Sequence, residues 1–412
     1  VELVHSLNNF ILILYYIMQS SMNLDRILYD ENGKPSHIYY DINIVNNDIS
    51  GTLDAPPIQF SEVRNSPFLN NPGDFFLAVA RFQLETPYLP LFMPFVQLGQ
   101  SDVNLTIYSV SLSFTYLGTT YTQQAFVEYV QENNNVNTPV APTTAQDFTT
   151  EYYWVQEYQR FVNMINDAYK TALNGLNTLV TGAGGVLPTA NAPFFTFDNK
   201  GYLFTLNADV AGYDSALGAG NYISVFANAP LFTLFSAFDN VYNGSNNVAP
   251  NGTNYQYLIY QDHGMNQFTG TVAPYNYAML QMTQSYSTTA LWCPIKSIVF
   301  QSVSMPILPD LVGKPVVFTS NSGMTVGGNN ANISLMLTDF VVGLDKGFEY
   351  KPNITYTPTV YRLIDMFGNQ SLSSMDVSVM WTDMLGNSYR VKLLPQRSCQ
   401  IKLMFRAKRY SV

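Results

Sequence analysis

This sequence is short of ionisable side chains. Asp, Glu, Lys and Arg together make up 12% of the 412 residues, about half the ~25% of an ordinary soluble domain. It holds three histidines, two cysteines and three tryptophans. Each shortage removes a class of function. His5, His37 and His263 stand apart, with no HxH or HExxH spacing, and so point to no metal centre or general base. Cys293 and Cys399 give neither a disulfide framework nor a zinc spacing, and their apolar, strand-like surroundings predict buried free thiols. A net charge of −10 and a pI near 4.7 speak against the chain as a whole being an electrostatic binder of nucleic acid. The apolar run Phe10 to Met18 is shorter than the ~20 residues a membrane span needs. Residues 1–23 read as an N-terminal arm or leader, with Met18 or Met22 as a candidate initiator.

Catalytic patterns are equally sparse. There is no Gly-x-Ser-x-Gly nucleophile elbow. Thr181-Gly182-Ala183-Gly184-Gly185 lacks the Lys-Ser/Thr of a phosphate loop and follows a helical pattern, so it reads as a helix stop. Asp30-Glu31-Asn32-Gly33 does not have calcium-loop spacing. Asp339, Asp345, Asp365 and Asp383 are each explained by turns or strand ends. No catalytic residue, metal ligand or cofactor is predicted, and the chain reads as a non-enzyme.

What the sequence has is aromatic residues, 14% of the chain, spread over many short β-type runs cut by Asn, Gly and Pro. Low charge with many aromatics fits a surface to be covered by neighbours, and equally a sequence from an AT-rich genome, which inflates Asn, Tyr, Phe and Ile. Thr106, Tyr108, Val110, Leu112, Phe114 and Tyr116 alternate with Ser109, Ser111, Ser113 and Thr115, the pattern of a half-buried strand. Phe75 to Ala80 is apolar on both faces, as a strand between two layers would be. Residues 131–147 carry almost no apolar pattern and read as an exposed loop. An amphipathic helix is predicted from about Glu151 to Val180, with Thr149 or Thr150 as N-cap and Gly182 as stop.

Strands resume at Pro193. Asp198-Asn199-Lys200-Gly201 is a hairpin loop between Phe194–Phe197 and Tyr202–Leu206, and residues 243–254 form a second, Asn/Gly-rich loop. Near the C-terminus three strands alternate cleanly through Val377–Trp381, Tyr389–Leu393 and Ile401–Phe405. Phe82-Gln83, followed by Pro87 and Pro90, is echoed by Phe300-Gln301, followed by Pro306 and Pro309, a hint of two copies of one β unit.

One charge asymmetry stands out. Arg390, Lys392, Arg397, Lys402, Arg406, Lys408 and Arg409 cluster in a stretch with no acid between Arg390 and Val412. The plain reading is a solvated strand face. The functional reading gives Arg390, Lys392, Lys402, Arg406, Lys408 and Arg409 to an inward face that meets packaged nucleic acid.

Trp292-Cys293-Pro294-Ile295-Lys296-Ser297-Ile298-Val299-Phe300, Tyr361-Arg362-Leu363-Ile364-Asp365 and Lys402-Leu403-Met404-Phe405-Arg406-Ala407-Lys408 resemble C-terminal stretches of jelly-roll viral capsid proteins. The chain is most similar to the double jelly-roll major capsid proteins of small DNA viruses. That resemblance implies an all-β fold of two jelly-roll β-sandwiches with one long amphipathic helix inserted around 151–180. The arm at 1–23 would lead into a first roll at 24–190, with its linker and helix, and a second at 191–412. It further implies a structural major capsid protein of the virion, assembled in the infected cell. Its partners would be copies of itself as a homotrimer and then an icosahedral lattice, other capsid proteins such as a penton, and packaged nucleic acid on the inner face. The alternative arrangement is a single jelly-roll capsid or penton protein with a protruding domain. The alternative class is a secreted β-sandwich lectin or adhesin, whose signal peptide, disulfides and acidic calcium loops are absent or weak here.

Overall fold

The computed structural model describes residues 36–49, 55–218, 220–244, 252–260, 270–271, 275–311, 316–319, 323–326, 333–342 and 351–408. The chain opens with β1 (His37–Asn46), β2 (Gln59–Val63) and β3 (Phe75–Glu85). It then enters a long insert, residues 86–296. This carries β4 (Leu105–Tyr116), β5 (Thr119–Glu128), the helix α1 (Tyr158–Gly182), β6 (Phe194–Asp198), β7 (Leu203–Asp209), β8 (Ser224–Ala227), β9 (Asn240–Tyr242), β10 (Tyr255–Tyr257), β11 (Gly270–Thr271) and β12 (Ala278–Thr283). It returns with β13 (Ser297–Gln301), the short strands β14 (Asp310–Leu311), β15 (Val316–Thr319), β16 (Gly323–Val326) and β17 (Ile333–Ser334), then β18 (Met336–Val341) and β19 (Asn353–Tyr356). The last strands are β20 (Ile364–Asp365), β21 (Ser374–Thr382), β22 (Ser388–Arg390) and β23 (Arg397–Ala407).

The strands before and after the insert build one sandwich. One sheet runs β1-β23-β3-β19 and the facing sheet β18-β13-β21-β2, with β20 and β22 as short additions and every pairing antiparallel. Eight strands that pass between two sheets in this order are a jelly roll. Strand β23 is central because its pattern suits a covered position. Cys399, Ile401, Leu403 and Phe405 point into the core, and Gln400, Lys402 and Arg406 point away. Its register with β1 runs unbroken from His37↔Arg406 to Asn46↔Arg397. The short strands between β13 and β18 pair as two ribbons, β14 with β17 and β15 with β16.

The insert makes a second sandwich from the sheets β5-β4-β8-β10-β9 and β11-β12-β7-β6. Helix α1 lies against it, burying Phe161, Ile165, Ala168, Ala172 and Leu176 along one face. Its start differs from the sequence-based expectation. Thr150 caps only a single 3-10 turn, Glu151–Tyr153. Val155 then pairs with Phe92 in a short bridge, its amide donating to the Phe92 carbonyl at 2.9 Å, so the chain stays extended until α1 begins at Tyr158. Strand β4 also differs, since Ser109 and Ser111 are buried along with the apolar positions. Ser109 Oγ accepts from Gln124 Nε2, and Gly252 presses against it so closely that a Cβ would come within 2.7 Å, at a φ of +55°. The hairpin at 198–201 is as expected, with the Asp198 carboxylate accepting from the Lys200 and Gly201 amides.

The all-β jelly-roll class is thus observed, with a second sandwich and a long helix. The two sandwiches are nested, however, not consecutive. A boundary near residue 190 would separate strands that the register joins, because β3 pairs with β23 and β2 with β21. The Phe-Gln echo has the same origin. Phe82 of β3 and Phe300 of β13 face each other across one sandwich, with ring centroids 4.5 Å apart. Residues 1–23 and the interior of the 243–254 loop, 245–251, lie outside the described residues.

One buried carboxylate shapes the edge of the roll. Asp376 in β21 accepts from Ser302 Oγ at 2.6 Å, from the Val303 amide at 2.9 Å and from the Ser304 amide at 2.8 Å. Burial alone would raise its pKa, but these donors outweigh burial and hold the carboxyl below its usual range. A lowered folded-state pKa stabilises above the unfolded value and is lost as pH falls through the folded one. Asp376→Ala should cost on the order of 3 kcal/mol at neutral pH by stranding these donors. Denaturant midpoints should show the gap between the two proteins narrowing below pH ~4.

Candidate assembly surfaces

The basic residues singled out in the sequence do not form one face. Lys402 and Arg406 project from the outer side of the β1-β23-β3 sheet. Asp41 lies opposite Lys402, with its carboxylate 3.1 Å from the Lys402 amine and 4.0 Å from the Arg81 guanidinium. Lys402 also sits over the Tyr39 ring at 5.8 Å. Arg406 stands opposite His37 and Phe76 and makes no ion pair with a described residue. Lys408 is mostly covered, pairs with Asp365 at 3.0 Å and donates to the Met366 carbonyl. Arg390 is exposed on β22, in the other sheet. Lys392 turns toward the insert and pairs with Glu151. Arg409 lies outside the described residues. A run of basic residues in sequence has become three separate places, and most of its described cations are already matched by acids.

The junction between roll and insert is built from aromatic rings. Trp381 of β21 stacks on Tyr389 of β22 at 4.1 Å and meets Trp154 of the insert edge-on at 5.8 Å. Trp154 in turn packs on Tyr88 at 5.0 Å. Polar contacts flank them. Lys351 donates to Gln156 Oε1 at 2.7 Å, and Gln156 Nε2 donates to the Tyr88 carbonyl at 3.2 Å. Burial lowers the Lys351 pKa to about 8, with Glu132 and Glu157 opposing the shift. The insert is therefore seated firmly on one end of the roll.

Beside this junction runs an apolar groove. Two adjoining hollows of about 330 and 700 Å³ share Phe95, Ile107, Phe148 and Leu385. Phe95 and Phe148 meet edge to face at 5.2 Å. Met384 and Leu385 reach the groove from the turn after β21, and Met384 is 68% exposed. The two carboxylates on the rim are occupied. Asp147 accepts from the Thr149 amide and hydroxyl, and Asp383 from the Asn387 amide and the Tyr389 hydroxyl. An exposed apolar trough whose two rim carboxylates are held in local hydrogen bonds has the character of an interface core. Sequence reasoning missed it because its walls come from five separate segments, within 92–108, 145–149, 230–234, 291–294 and 383–389. One signal was present: Met384 and Leu385 are large apolar residues inside a five-residue turn, where polar residues are the rule.

Among the described residues no cluster of His, Cys, Asp and Glu could hold a metal ion. Cys293 and Cys399 are buried thiols outside any disulfide, as expected, and burial raises the Cys399 pKa to about 12, with Glu85 adding to the shift.

A jelly roll built from the strands on either side of a large insert, with an exposed apolar trough beside the junction, is an architecture that viral shell proteins use. The comparisons agree. The sequence pattern of the family described as "Sputnik minor capsid protein V18/19" matches residues 38–407, and the chain belongs to that family. It is similar to the structural protein V19 of Sputnik virophage, with 30% identity over 213 residues, 51% of this chain and 92% of that protein. It is also similar to the uncharacterised protein V18 of the same virophage, with 34% identity over 168 residues, 39% of this chain and 92% of that protein. Among solved structures, a chain of the Sputnik virophage determined by cryo-EM at 3.5 Å superposes with a TM-score of 0.76 and 31% identity, covering 92% of this chain and all of that one. The mavirus penton protein shares the fold, with a TM-score of 0.61 and 17% identity over 90% of this chain and 99% of that one. The protein is a structural component of a viral capsid, and its place is the virion.

Proposed function

We propose that the protein is the vertex subunit of an icosahedral shell, closing rings of five copies. The observation that carries this reading is the architecture. A single eight-stranded roll is built from the strands on either side of the insert, and the insert stands on one end of it. In the proposed ring the rolls form the shell floor, the inserts form an upper tier, and neighbouring shell proteins abut the outer sides of the rolls. The fold shared with the mavirus penton protein supports it. A cyclic ring needs two different, complementary patches on each copy. The groove beside the junction supplies one of them, filled by apolar side chains of the next copy.

The trimeric major shell subunit expected from the sequence is the competing reading, and mass separates the two. Light scattering of the purified protein should show an oligomer close to five times the 46.2 kDa chain mass, with a five-fold outline by electron microscopy. An oligomer at three times that mass would overturn the vertex assignment in favour of the trimer. A stable monomer at high concentration would overturn both.

A further inference from the structure

A second surface of the insert has the composition of a ligand site and plays no part in the ring contact proposed above. Strand β6 alternates, so Phe195 is buried in the core and Phe194 faces outward, half-buried. Asn166 of α1 fixes this arrangement: its Oδ1 accepts from the Phe195 amide at 2.7 Å and its Nδ2 donates to the Phe195 carbonyl at 2.9 Å. Tyr275 stacks on the outward Phe194 ring, with centroids 5.0 Å apart and an interplanar angle of 28°, and remains 36% exposed. Tyr277 meets Tyr275 at 5.7 Å and 60°. These three rings border an open cleft of about 500 Å³.

The opposite wall is the polar side of α1. Asp167 and Lys170 neutralise each other at 2.8 Å. The exposed Asn163 accepts from Gln159 Nε2 through its Oδ1, which leaves its own amide N–H groups available. Beneath Phe194, the buried Asn207 lies opposite it in the register and accepts from Gln281 Nε2 at 2.8 Å, and the Thr205 and Thr283 hydroxyls meet at 2.9 Å, so this side of the sheet is held by neutral hydrogen bonds.

We propose that this cleft binds a neutral saccharide, a terminal hexose-type unit of a glycan. A pyranose has an apolar C–H face and a rim of hydroxyls that both donate and accept. The aromatic platform of Phe194, Tyr275 and Tyr277 suits the face, and the amide of Asn163 with the paired Asp167 and Lys170 suits the rim. An anion would need an unpaired cation, and Lys170 is matched. A purely apolar ligand would strip water from Asn163, Asp167 and Lys170 without replacing its hydrogen bonds. The volume is in the range of small-ligand pockets.

The test is saturation-transfer NMR and calorimetry on the full chain with glucose, mannose, galactose and N-acetylglucosamine, free and as disaccharides, with inorganic phosphate as the anion control. At least one saccharide should bind with roughly millimolar affinity, as expected for a shallow site. Tyr275→Ala and Asn163→Ala should each weaken it about tenfold or more, and Tyr275→Phe should retain it, because stacking does not need the phenol hydroxyl. Both variants should keep the wild-type solution mass, since both side chains are exposed. Failure of every sugar to bind would overturn the proposal. So would binding that Tyr275→Ala leaves intact, or binding of phosphate in place of sugar.

Discussion

Replacing Trp381 with alanine is expected to lower unfolding stability by about 3–5 kcal/mol, the range for a large aromatic lost from a close-packed core. Trp381 is fully buried, in the central part of the roll's second sheet, where Met380, Trp381 and Thr382 pair with β22. Its ring fills the space between Tyr389 of the roll and Trp154 of the insert. The cavity would open where the roll and the insert pack against each other, so the effect should reach beyond the roll. Equilibrium denaturation followed by tryptophan fluorescence measures the loss. A double-mutant cycle with Trp154→Ala then isolates the junction: rings in contact should be coupled by about 0.5–1.5 kcal/mol. Strict additivity would mean that the insert does not draw stability from Trp381.

Local features of this fold were readable and distant ones were not, for a physical reason. The strands around Trp381 and Leu403 announce themselves by a two-residue alternation that depends only on which face is covered. The hairpin at Asp198 to Gly201 is closed by its own side chain, so its signal lies within four residues. Nothing local says that His37 will lie against Arg406, or that Phe82 and Phe300 will face each other. Periodicity gives the faces of a strand but never the identity of its partner, and so the nested topology escaped a reading that expected one roll after another. The basic residues were misgrouped for the same reason. Lys402 and Arg390 are twelve positions apart in sequence, but β23 and β22 belong to opposite sheets. The start of α1 was missed by a few residues because a tertiary bond, Val155 to Phe92, overrode a good capping residue at Thr150.

Placing a charge in the groove should have the second large effect, on assembly and not on folding. Leu385 is 39% exposed in the isolated chain and lines both hollows beside Phe95 and Phe148. Leu385→Asp should therefore leave the denaturation midpoint within about 0.5 kcal/mol of wild type, as surface substitutions do. In the proposed ring that position is covered by the next copy. The variant would lose about 1.5–3 kcal/mol of apolar burial there and add the cost of desolvating an unpaired carboxylate. Each contact would weaken about 100-fold or more, and a ring that needs every contact to close would give way to monomers. Light scattering across a concentration series reads this directly. A conservative Leu385→Met should keep the ring, because it preserves volume and apolarity. If Leu385→Asp assembles as well as wild type, the groove lies outside the subunit interface, and the apolar patch that holds the ring together is elsewhere on the roll.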